Sequence, residues 1–256
     1  MNIISIIPAR MGSSRFPGKP MKEILGMPMI GHVYMRVKMC KGLNDVYVAT
    51  CDREIFEYIN SIGGKAVMTS DKHERCSDRC AEAMLKIEEE TKLKCDIVVM
   101  VQGDEPLTFP EMIDEAISPM LTNENILITN LMADLPDVSS FENPNEVKVV
   151  VDKNSNALYF SREAIPSRKK GVLDVPMKKQ VCVIPFRRDF LLEYNKMEPT
   201  ALEIIESVDM MRILENGLNI KMIDTKFKTK AVDTKEDLDT LNELMKDDIL
   251  VKKYLL

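Results

Sequence analysis

Three cations share one short loop near the start of the chain. They are Arg10, Arg15 and Lys19. The loop also contains four small residues, namely Gly12, Ser13, Ser14 and Gly18. Small residues let backbone N–H groups approach an anion closely, and the cations add the opposite charge. The composition therefore predicts a phosphate-binding loop, with a solvated basic turn as the alternative.

The position of this loop favours phosphate binding. The preceding run from Ile3 to Ile7 is apolar apart from Ser5 and ends at Pro8. Such a run is typical of a parallel strand that is buried on both faces. Open α/β sheets bind their ligands at the carboxyl ends of the strands. A cationic loop that directly follows a first strand is therefore a candidate nucleotide-binding site.

Two common phosphate-binding motifs do not fit this loop. A P-loop has the pattern G-x-x-x-x-G-K-[ST], but the spacing from Gly12 to Gly18 differs and Pro20 replaces the hydroxyl residue after Lys19. The dinucleotide fingerprint G-x-G-x-x-G does not occur in the sequence. If this loop binds a nucleotide, it therefore belongs to a class other than these two.

An acidic segment follows the strongest predicted strand, at 97–101. The segment is Gln102-Gly103-Asp104-Glu105-Pro106. Gly103 allows a sharp turn, so Asp104 would lie at the carboxyl edge of the sheet, near the cationic loop if the two strands are neighbours. Mg²⁺ is usually bound by one or two carboxylates together with substrate phosphates. The segment is therefore a candidate metal-binding site.

The elements that would position these segments alternate between strands and helices. Strands are predicted at 45–50, 65–69, 97–101, 126–132, 147–152, 157–160, 178–185 and 220–223. Helices are predicted from Pro28 onward, at 55–62, 75–90, 110–121, 187–195 and 201–215, and from Lys235 onward. This order predicts an α/β protein in which the alternation of strands and helices is interrupted by a β-hairpin between residues 147 and 160.

Composition and charge narrow the functional classes. The 256 residues suffice for one large α/β domain, and a formal net charge of −6 with interspersed signs argues against nucleic-acid binding. Neither a signal peptide nor an apolar run of bilayer length is found, so we expect a cytoplasmic protein without membrane insertion. The six cysteines are scattered and are expected to be reduced, because the sequence shows no secretion signal. Zinc binding is not expected, since the nearest cluster, His73, Cys76 and Cys80, lacks zinc-ligand spacing and a fourth ligand.

The cationic loop and the acidic segment together resemble a known family. Pro8-Ala9-Arg10, Arg15 and Pro17-Gly18-Lys19-Pro20, followed by the segment at 102–106, resemble the sugar nucleotidyltransferases and specifically the CMP-Kdo synthetases (3-deoxy-manno-octulosonate cytidylyltransferases). Further matching segments lie at 48–50, 78–79, 143–150, 159–162, 187–190, 202–203, 212–214 and 232–234. The resemblance therefore covers nearly the whole chain.

The resemblance implies a fold, an activity and partners. The fold would be a Rossmann-like, mixed, mostly parallel sheet of the nucleotide-diphospho-sugar transferase type with an inserted β-hairpin subdomain. A single domain over 1–256 would comprise a nucleotide-binding part, at about 1–130 and 217–256, and a sugar-binding and dimerisation part at about 131–216. The enzyme would be a homodimer that uses Mg²⁺ to transfer CMP from CTP to the anomeric hydroxyl of Kdo or a related ulosonic acid, a step in lipopolysaccharide biosynthesis.

The resemblance also assigns roles to individual residues. Catalytic roles fall on Arg10, Lys19 and Asp104, and the metal would be held by Asp104 and Asp233. The nucleotide-binding residues would be Pro8, Ala9, Arg10, Ser13, Ser14, Arg15, Lys19, Thr50, Ser77, Arg79 and Gln102. The acceptor-binding residues would be Gln102, Arg162, Gln180, Ile184, Glu206, Asp209 and Met210.

Ordinary structural roles are alternatives for several of these residues. Asp233 or Thr234 would also make an N-cap for the helix that follows. Arg162 would contact the sugar carboxylate or form a surface salt bridge. Three acidic residues of the helix predicted at 201–215 would contact substrate hydroxyls or form a solvated face, and they are Glu203, Glu206 and Asp209.

The sequence departs from the family pattern where the acceptor is recognised. Cys76-Ser77 replaces glycine-threonine, Gln180 replaces a histidine, Ile184 a tyrosine and Met210 a glutamine. A site built around hydroxyl contacts discriminates strongly against ligands that lack the matching group. We therefore expect Kdo or an altered acceptor, such as an amino-modified ulosonate or a sialic-acid-like sugar.

Two functions of other classes remain as alternatives. One is a non-catalytic regulator that binds CTP, and the other is a glycosyltransferase that uses a nucleotide sugar. The presence of Lys19, Asp104 and Asp233 argues against the regulator, because a protein that only bound CTP would not need the full set of phosphate and metal ligands.

Overall fold

The computed structural model describes residues 1–12 and 16–255. The chain forms two compact units, Met1–Asp114 with Lys228–Leu256 and Glu115–Phe227. The strands, in chain order, are β1 (Ile3–Ala9), β2 (Glu23–Ile24), β3 (Met27–Pro28), β4 (Asp45–Thr50), β5 (Ala66–Met68), β6 (Ile97–Val101), β7 (Thr129–Asp134), β8 (Lys148–Val151), β9 (Ala157–Ser161), β10 (Lys178–Val181), β11 (Val183–Arg187) and β12 (Lys221–Asp224). The helices are α1 (Met29–Lys38), α2 (Arg53–Ser61), α3 (Cys76–Thr91), α4 (Pro110–Thr122), α5 (Val138–Glu142), α6 (Arg188–Tyr194), α7 (Ala201–Glu206), α8 (Met211–Glu215) and α9 (Lys235–Leu244).

A parallel sheet with the strand order β6-β1-β4-β5 forms the framework of the first unit. Every residue of β1 is buried, as its apolar run predicts, and β1 pairs with β6 on one side and β4 on the other. The strands predicted at 45–50 and 97–101 are confirmed with the same bounds. Because β1 and β6 are neighbours, the cationic loop and the acidic segment leave the same edge of the sheet, as the sequence predicted.

The last part of the chain packs beside the short β2–β3 hairpin. Ile24 and Met29 form a buried cluster with residues of the returning segment, which are Val232, Leu241, Met245 and Val251. Polar contacts join the same segments. Leu25 N–H donates to Asn242 Oδ1 at 2.8 Å, and the fully buried Arg36 lies 3.1 Å from Asp248 Oδ2. This packing holds the C-terminal segment against the hairpin and α1.

The second unit contains a mixed sheet with the order β12-β7-β10-β8-β9. β7 is parallel to β12 and antiparallel to β10. The predicted hairpin is confirmed, because β8 and β9 are antiparallel. The start of β9 also reaches β12, since Ala157 N–H donates to Ile220 O at 2.9 Å.

Two predicted elements were wrong because each is divided in the structure. The strand predicted at 178–185 is β10 and β11, separated at Cys182. Val181 pairs with Leu131 but Phe186 pairs with Ile128, so five steps on one strand match three on the other, and the regular pairing is interrupted at Cys182.

The helix predicted at 201–215 is α7 and α8. Ser207 ends α7 with a φ of 52°, a left-handed conformation that is usually marked by glycine. No glycine marks this end in the sequence, so the pattern of apolar residues gave no sign of it.

Among the described residues, none of the helices has both the length and the hydrophobicity needed to cross a membrane.

Candidate functional site

Lys19 lies at the centre of an ionic cluster in the first unit. Its Nζ is 2.7 Å from Asp104 Oδ2 and 3.4 Å from Asp233 Oδ1, and it donates to Val232 O at 2.6 Å. The Lys19, Asp104 and Asp233 side chains are 12%, 23% and 18% exposed, respectively. The structure therefore brings together the lysine and both carboxylates that the sequence assigned to catalysis and metal binding.

Backbone hydrogen bonds fix the two ends of the cationic loop. Gly18 adopts a φ of 72°, and its N–H donates to Met11 O at 3.0 Å. Met11 N–H donates in turn to Asp52 Oδ2 at 2.7 Å. A positive φ strains any residue with a Cβ, so glycine suits the position immediately before Lys19. The loop is thereby anchored on Asp52, which lies between β4 and α2.

Four further residues of this loop were assigned to the nucleotide. Arg10 is exposed at the end of β1. Ser13, Ser14 and Arg15 lie outside the described residues, so their assignment to the nucleotide stays a prediction.

The acidic segment passes close over the end of β1. A Cβ on Gly103 would lie 3.0 Å from Pro8 O and 3.1 Å from Ile30 Cδ1. Glycine is needed here for this close approach of backbone to backbone. The approach places Asp104 beside Lys19, and Asp104 O also accepts from Val232 N–H at 3.0 Å.

Asp233 is positioned by the start of α9. Thr234 and Asp237 form a reciprocal capping box, and Asp233 N–H donates to Asp237 Oδ2 at 3.2 Å. Burial would raise the pKa of Asp237, but hydrogen bonds from Asp233 and Thr234 lower it below its ordinary value. Thr234, and not Asp233, is the N-cap. The Asp233 carboxylate is therefore directed to Lys19 and is not consumed by capping.

A pocket of about 40 Å³ lies at the end of β1 in the same unit. Its lining residues are Pro8, Ala9, Arg10, His73, Glu74, Arg75, Cys76 and Arg79. Four of these, Pro8, Ala9, Arg10 and Arg79, were predicted to bind the nucleotide. The pocket is therefore a candidate for part of the nucleotide site.

Arg79 supports one wall of this pocket from behind. Its side chain donates to Thr69 Oγ1 at 2.6 Å, to Ser70 O at 3.2 Å and to His73 O at 3.3 Å. Arg79 is only 3% exposed. The guanidinium thus holds the segment between β5 and α3 in place, a contact that the sequence did not predict.

Other predicted nucleotide residues lie deeper than expected. Thr50 is fully buried, and its Oγ1 accepts from Asp52 N–H at 3.0 Å. Ser77 is 1% exposed. Gln102 is half-buried at the end of β6. Thr50 orients Asp52, and Asp52 in turn anchors the cationic loop. Thr50 therefore affects the loop indirectly.

The predicted acceptor residues belong mainly to the second unit. Ile184 and Met210 are 2% and 1% exposed, so their apolar side chains form part of the core of this unit and do not present a surface. Gln180 is half-buried, and its Nε2 donates to Asn130 Oδ1 at 2.6 Å. Asn130 Nδ2 donates to Val181 O at 2.7 Å. Of Gln180, Ile184 and Met210, only Gln180 has a polar side chain that is not fully buried.

Glu206 and Arg162 form one hydrogen-bonded group. The Glu206 carboxylate accepts from Tyr159 Oη at 3.1 Å, Ser161 Oγ at 3.0 Å and Arg162 N–H at 2.9 Å. The Arg162 side chain donates to three carbonyl groups, those of Pro144, Glu206 and Ser207, at 3.0, 2.8 and 3.1 Å. Arg162 therefore forms backbone contacts in place of the surface salt bridge that was its alternative role.

The acidic face predicted on the long helix does not exist. Glu203 is fully buried, and it accepts from Arg212 at 2.8 and 2.7 Å. The hydrogen bonds that Arg212 donates to Glu203 raise the pKa of Arg212. The separation of α7 from α8 removes Asp209 from the helix of Glu203, and Asp209 O accepts from Tyr194 Oη at 2.9 Å.

A family model described as "Cytidylyltransferase" matches residues 4–223. The chain belongs to the cytidylyltransferase family. The 3-deoxy-manno-octulosonate cytidylyltransferase of Geobacter metallireducens is 42% identical over 253 residues, which cover 95% of this chain and 97% of that protein. The protein of the same name from Fusobacterium nucleatum is 40% identical and covers 96% and 98%, respectively. The resemblance inferred from the sequence is confirmed.

Solved structures agree with this family membership. A CMP:2-keto-3-deoxy-manno-octonic acid synthetase in complex with CTP superimposes with a TM-score of 0.87 at 34% identity, over 96% of this cytidylyltransferase and 99% of that chain. A putative glucose-1-phosphate thymidylyltransferase from Bacillus anthracis has a TM-score of 0.66 at 15% identity, over 96% of each chain. The second similarity concerns the fold alone, and it confirms the predicted nucleotide-diphospho-sugar transferase class.

The sequence did not identify several residues that shape the site. Asp52 follows Thr50 by two positions, and only its contact with Met11 reveals that it anchors the loop. His73 was considered only as a zinc ligand, although it lines the pocket. Asp237 lies three residues after Thr234, which is the spacing of the N-cap and N3 residues in a capping box.

Proposed function

We propose that this chain transfers CMP from CTP to the anomeric hydroxyl of Kdo and releases pyrophosphate. The acceptor oxygen forms a bond to the α-phosphorus, the bond from that phosphorus to the β-phosphate oxygen breaks, and the hydroxyl proton is lost to solvent. The observation that carries the proposal is the contact of Lys19 Nζ with both Asp104 and Asp233 at the end of β1.

We propose that the protein accelerates the reaction mainly by placing cationic side chains against the triphosphate of CTP. Arg10, Arg15 and Lys19 would hold the triphosphate, and Lys19 would stabilise the charge that develops on the leaving pyrophosphate. Main-chain groups beside Ala9 and the wall supported by Arg79 would select cytosine. A cation held in place, as Lys19 is by Asp104 and Val232, lowers the barrier because it needs little reorganisation during the reaction.

The carboxylates are suited to hold Mg²⁺. Asp104 Oδ1 is buried and accepts no hydrogen bond from the part of the chain that the structure describes. Within that part, no three or more His, Cys, Asp or Glu side chains are grouped around a common position. A site with Asp104 and Asp233 would therefore need phosphate oxygens and water as further ligands, which is the usual mode of Mg²⁺. When bound, Mg²⁺ would neutralise phosphate charge and draw the anionic acceptor toward CTP.

Kdo is the first candidate acceptor because the relatives at 40–42% identity carry its name. The expected alteration of the acceptor stays a prediction, and burial of Ile184 and Met210 weakens its basis. Of the substituted acceptor residues Gln180, Ile184 and Met210, Gln180 has the polar side chain that could distinguish an amino-modified ulosonate from Kdo. A sialic-acid-like sugar is a further alternative.

We further propose that the protein acts as a cytoplasmic homodimer through its second unit. The outer edge of the hairpin strand β9 is partly covered within the chain. The outer N–H groups of Phe160 and Arg162 already donate to Met211 Sδ and to Glu206 Oε2, at 3.4 and 2.9 Å. Support comes from exposed apolar side chains on the same elements, which are Leu158, Ile204 and Ile205 at 61%, 63% and 74% exposure.

Pyrophosphate release tests the proposed activity. The protein is mixed with CTP, Mg²⁺ and one 2-keto-3-deoxy sugar acid at a time, with UTP in place of CTP as the nucleotide control. We expect release with CTP and Kdo. Binding of CTP without release for any acid would favour the regulator, and turnover of a nucleotide sugar would favour the glycosyltransferase. Faster turnover of an amino-modified acid than of Kdo would establish the altered acceptor.

A further inference from the structure

The segment between β5 and α3 forms one wall of the pocket at the end of β1. His73, Glu74 and Arg75 from this segment line the pocket together with Ala9 and Arg10. The segment has no regular secondary structure, so its conformation depends on side-chain contacts. Arg79 holds its backbone through the carbonyls of Ser70 and His73.

Glu82 of α3 supplies the second set of contacts. Its carboxylate accepts from Ser70 N–H at 2.9 Å and from Lys86 Nζ at 2.7 Å, and it also contacts His73 Nε2 within hydrogen-bond distance. Burial would raise the pKa of Glu82, but the donors Lys86, Ser70 and His73 together lower it to about 2. The carboxylate is thus ionised and acts only as an acceptor.

This acceptor fixes the role of each nitrogen of His73. Because an ionised carboxylate cannot donate, Nε2 must carry the hydrogen that it shares with Glu82. Nδ1 makes no hydrogen bond to the residues for which the structure gives coordinates. The His73 side chain is 24% exposed and lines the pocket. One ring nitrogen is therefore bound to the protein and the other remains for a ligand.

We propose that His73 is a further nucleotide-binding residue, which contacts CTP through Nδ1, and that Glu82 is the positioning residue that orients its ring. This inference rests on the proposed function, because it takes CTP as the ligand of the pocket. Neither residue was assigned a role in nucleotide binding by sequence or by similarity. The arrangement resembles other sites in which a carboxylate selects the histidine nitrogen that faces a ligand.

Two substitutions separate ligand contact from support of the wall. In His73→Gln the amide Nε2 can still donate to Glu82, but the ring Nδ1 is gone. In Glu82→Ala the ring remains but loses its orientation. Glu89→Ala, at an exposed position of the same helix, is the matched control. CTP affinity is measured by isothermal titration calorimetry, the Tm of each variant by differential scanning calorimetry, and kcat and KM by pyrophosphate release.

We expect His73→Gln and Glu82→Ala each to weaken CTP binding about tenfold, which corresponds to the loss of one good hydrogen bond. The double variant should be no weaker than either single variant, because both remove the same contact. The kcat at saturating CTP should stay within about twofold, and the Tm of His73→Gln should match that of the control.

Wild-type CTP affinity in His73→Gln would overturn the inference, since the bond to Glu82 would then suffice and His73 would only support the wall. Additive losses in the double variant would also overturn it. Failure of the wild-type protein to bind CTP would instead overturn the proposed function. The two failures are therefore distinguishable.

Discussion

Lys19 and Asp104 form an ion pair of 2.7 Å across 85 residues of sequence. The same ammonium group contacts the Asp233 side chain and the Val232 carbonyl, from the other end of the chain. One cation thus balances two carboxylates that would otherwise repel each other. The arrangement is suited to exchange part of this contact for phosphate and metal when a nucleotide binds.

Removal of the lysine should slow catalysis strongly. A fixed cation that faces the leaving pyrophosphate is worth on the order of 3 kcal/mol, so Lys19→Ala should lower turnover by roughly two orders of magnitude. Lys22→Ala, at an exposed position just beyond, is the control and should keep wild-type kinetics. Unchanged kinetics in Lys19→Ala would remove this assignment.

Metal dependence should require both carboxylates. In the wild-type protein, Mg²⁺ should raise the Tm further when CTP is present, because ligands that bind only the folded state stabilise it. Asp104→Asn and Asp233→Asn should abolish this additional rise, whereas Asp239→Asn, exposed on α9, should keep it. Robust activity of Asp104→Asn in excess chelator would contradict the metal assignment.

The buried ion pair of the second unit should dominate the response to mutation there. Glu203→Gln leaves the Arg212 charge buried and without its ionic partner, which should cost about 3 kcal/mol of unfolding free energy. Glu243→Gln removes a pair whose side chains are 69% and 52% exposed, and it should change stability little. Urea unfolding followed by circular dichroism measures both variants.

The double variant Glu203→Leu with Arg212→Met tests the cause of that loss. If the cost of Glu203→Gln arises from an unpaired buried charge, removal of both charges should recover most of the stability. If stability is not recovered, the loss in Glu203→Gln arises because the pair holds the connection between α7 and α8 in place, and not because a buried charge is left unpaired.

Stability should fall in mild acid because of His32. Its Nε2 contacts Ile24 O at 2.7 Å and its Nδ1 contacts Tyr254 Oη at 2.7 Å, so the neutral ring is satisfied on both sides. Burial lowers the pKa of His32 below its ordinary value of 6.5. As the pH falls, His32 is therefore protonated in the unfolded chain before it is protonated in the folded protein. The neutral ring contributes to the free energy of unfolding above pH 6.5, and this contribution is lost as the pH falls below 6.5.

Thermal unfolding between pH 5 and 8 measures this effect. The Tm of the wild-type protein should drop more steeply below pH 6.5 than that of His32→Met, which lacks the buried imidazole of His32. Tyr254 itself has a pKa raised by burial to about 12 and stays neutral over this range. Parallel curves for both proteins would exclude His32 as the cause.

The proposed dimer should depend on the exposed apolar residues of the second unit. Light scattering at micromolar concentration should give twice the mass of one 29.2 kDa chain. Leu158→Lys with Ile205→Lys should give the single-chain mass, while Leu244→Lys, 57% exposed on α9, should remain dimeric. A monomeric wild-type protein would contradict the proposal.

The sequence by itself determined the fold class and the two chemical segments. Apolar runs such as Ile97–Val101 can be satisfied only by burial, so their bounds and their alternation with helices were visible without a structure. The cationic loop and the acidic segment also carry the motifs whose resemblance to a known family predicted the family. Local propensity and burial are properties that a sequence displays directly.

Only the tertiary structure decided which polar groups are available to a ligand. Asp233 is directed to Lys19 because Thr234 and Asp237 complete the cap without it. Ile184 and Met210 are removed from any surface by burial, and Glu203 is neutralised by Arg212. His73 is given one free nitrogen by Glu82. Each outcome depends on contacts between residues that are not neighbours in a local pattern, so it follows from packing and not from spacing.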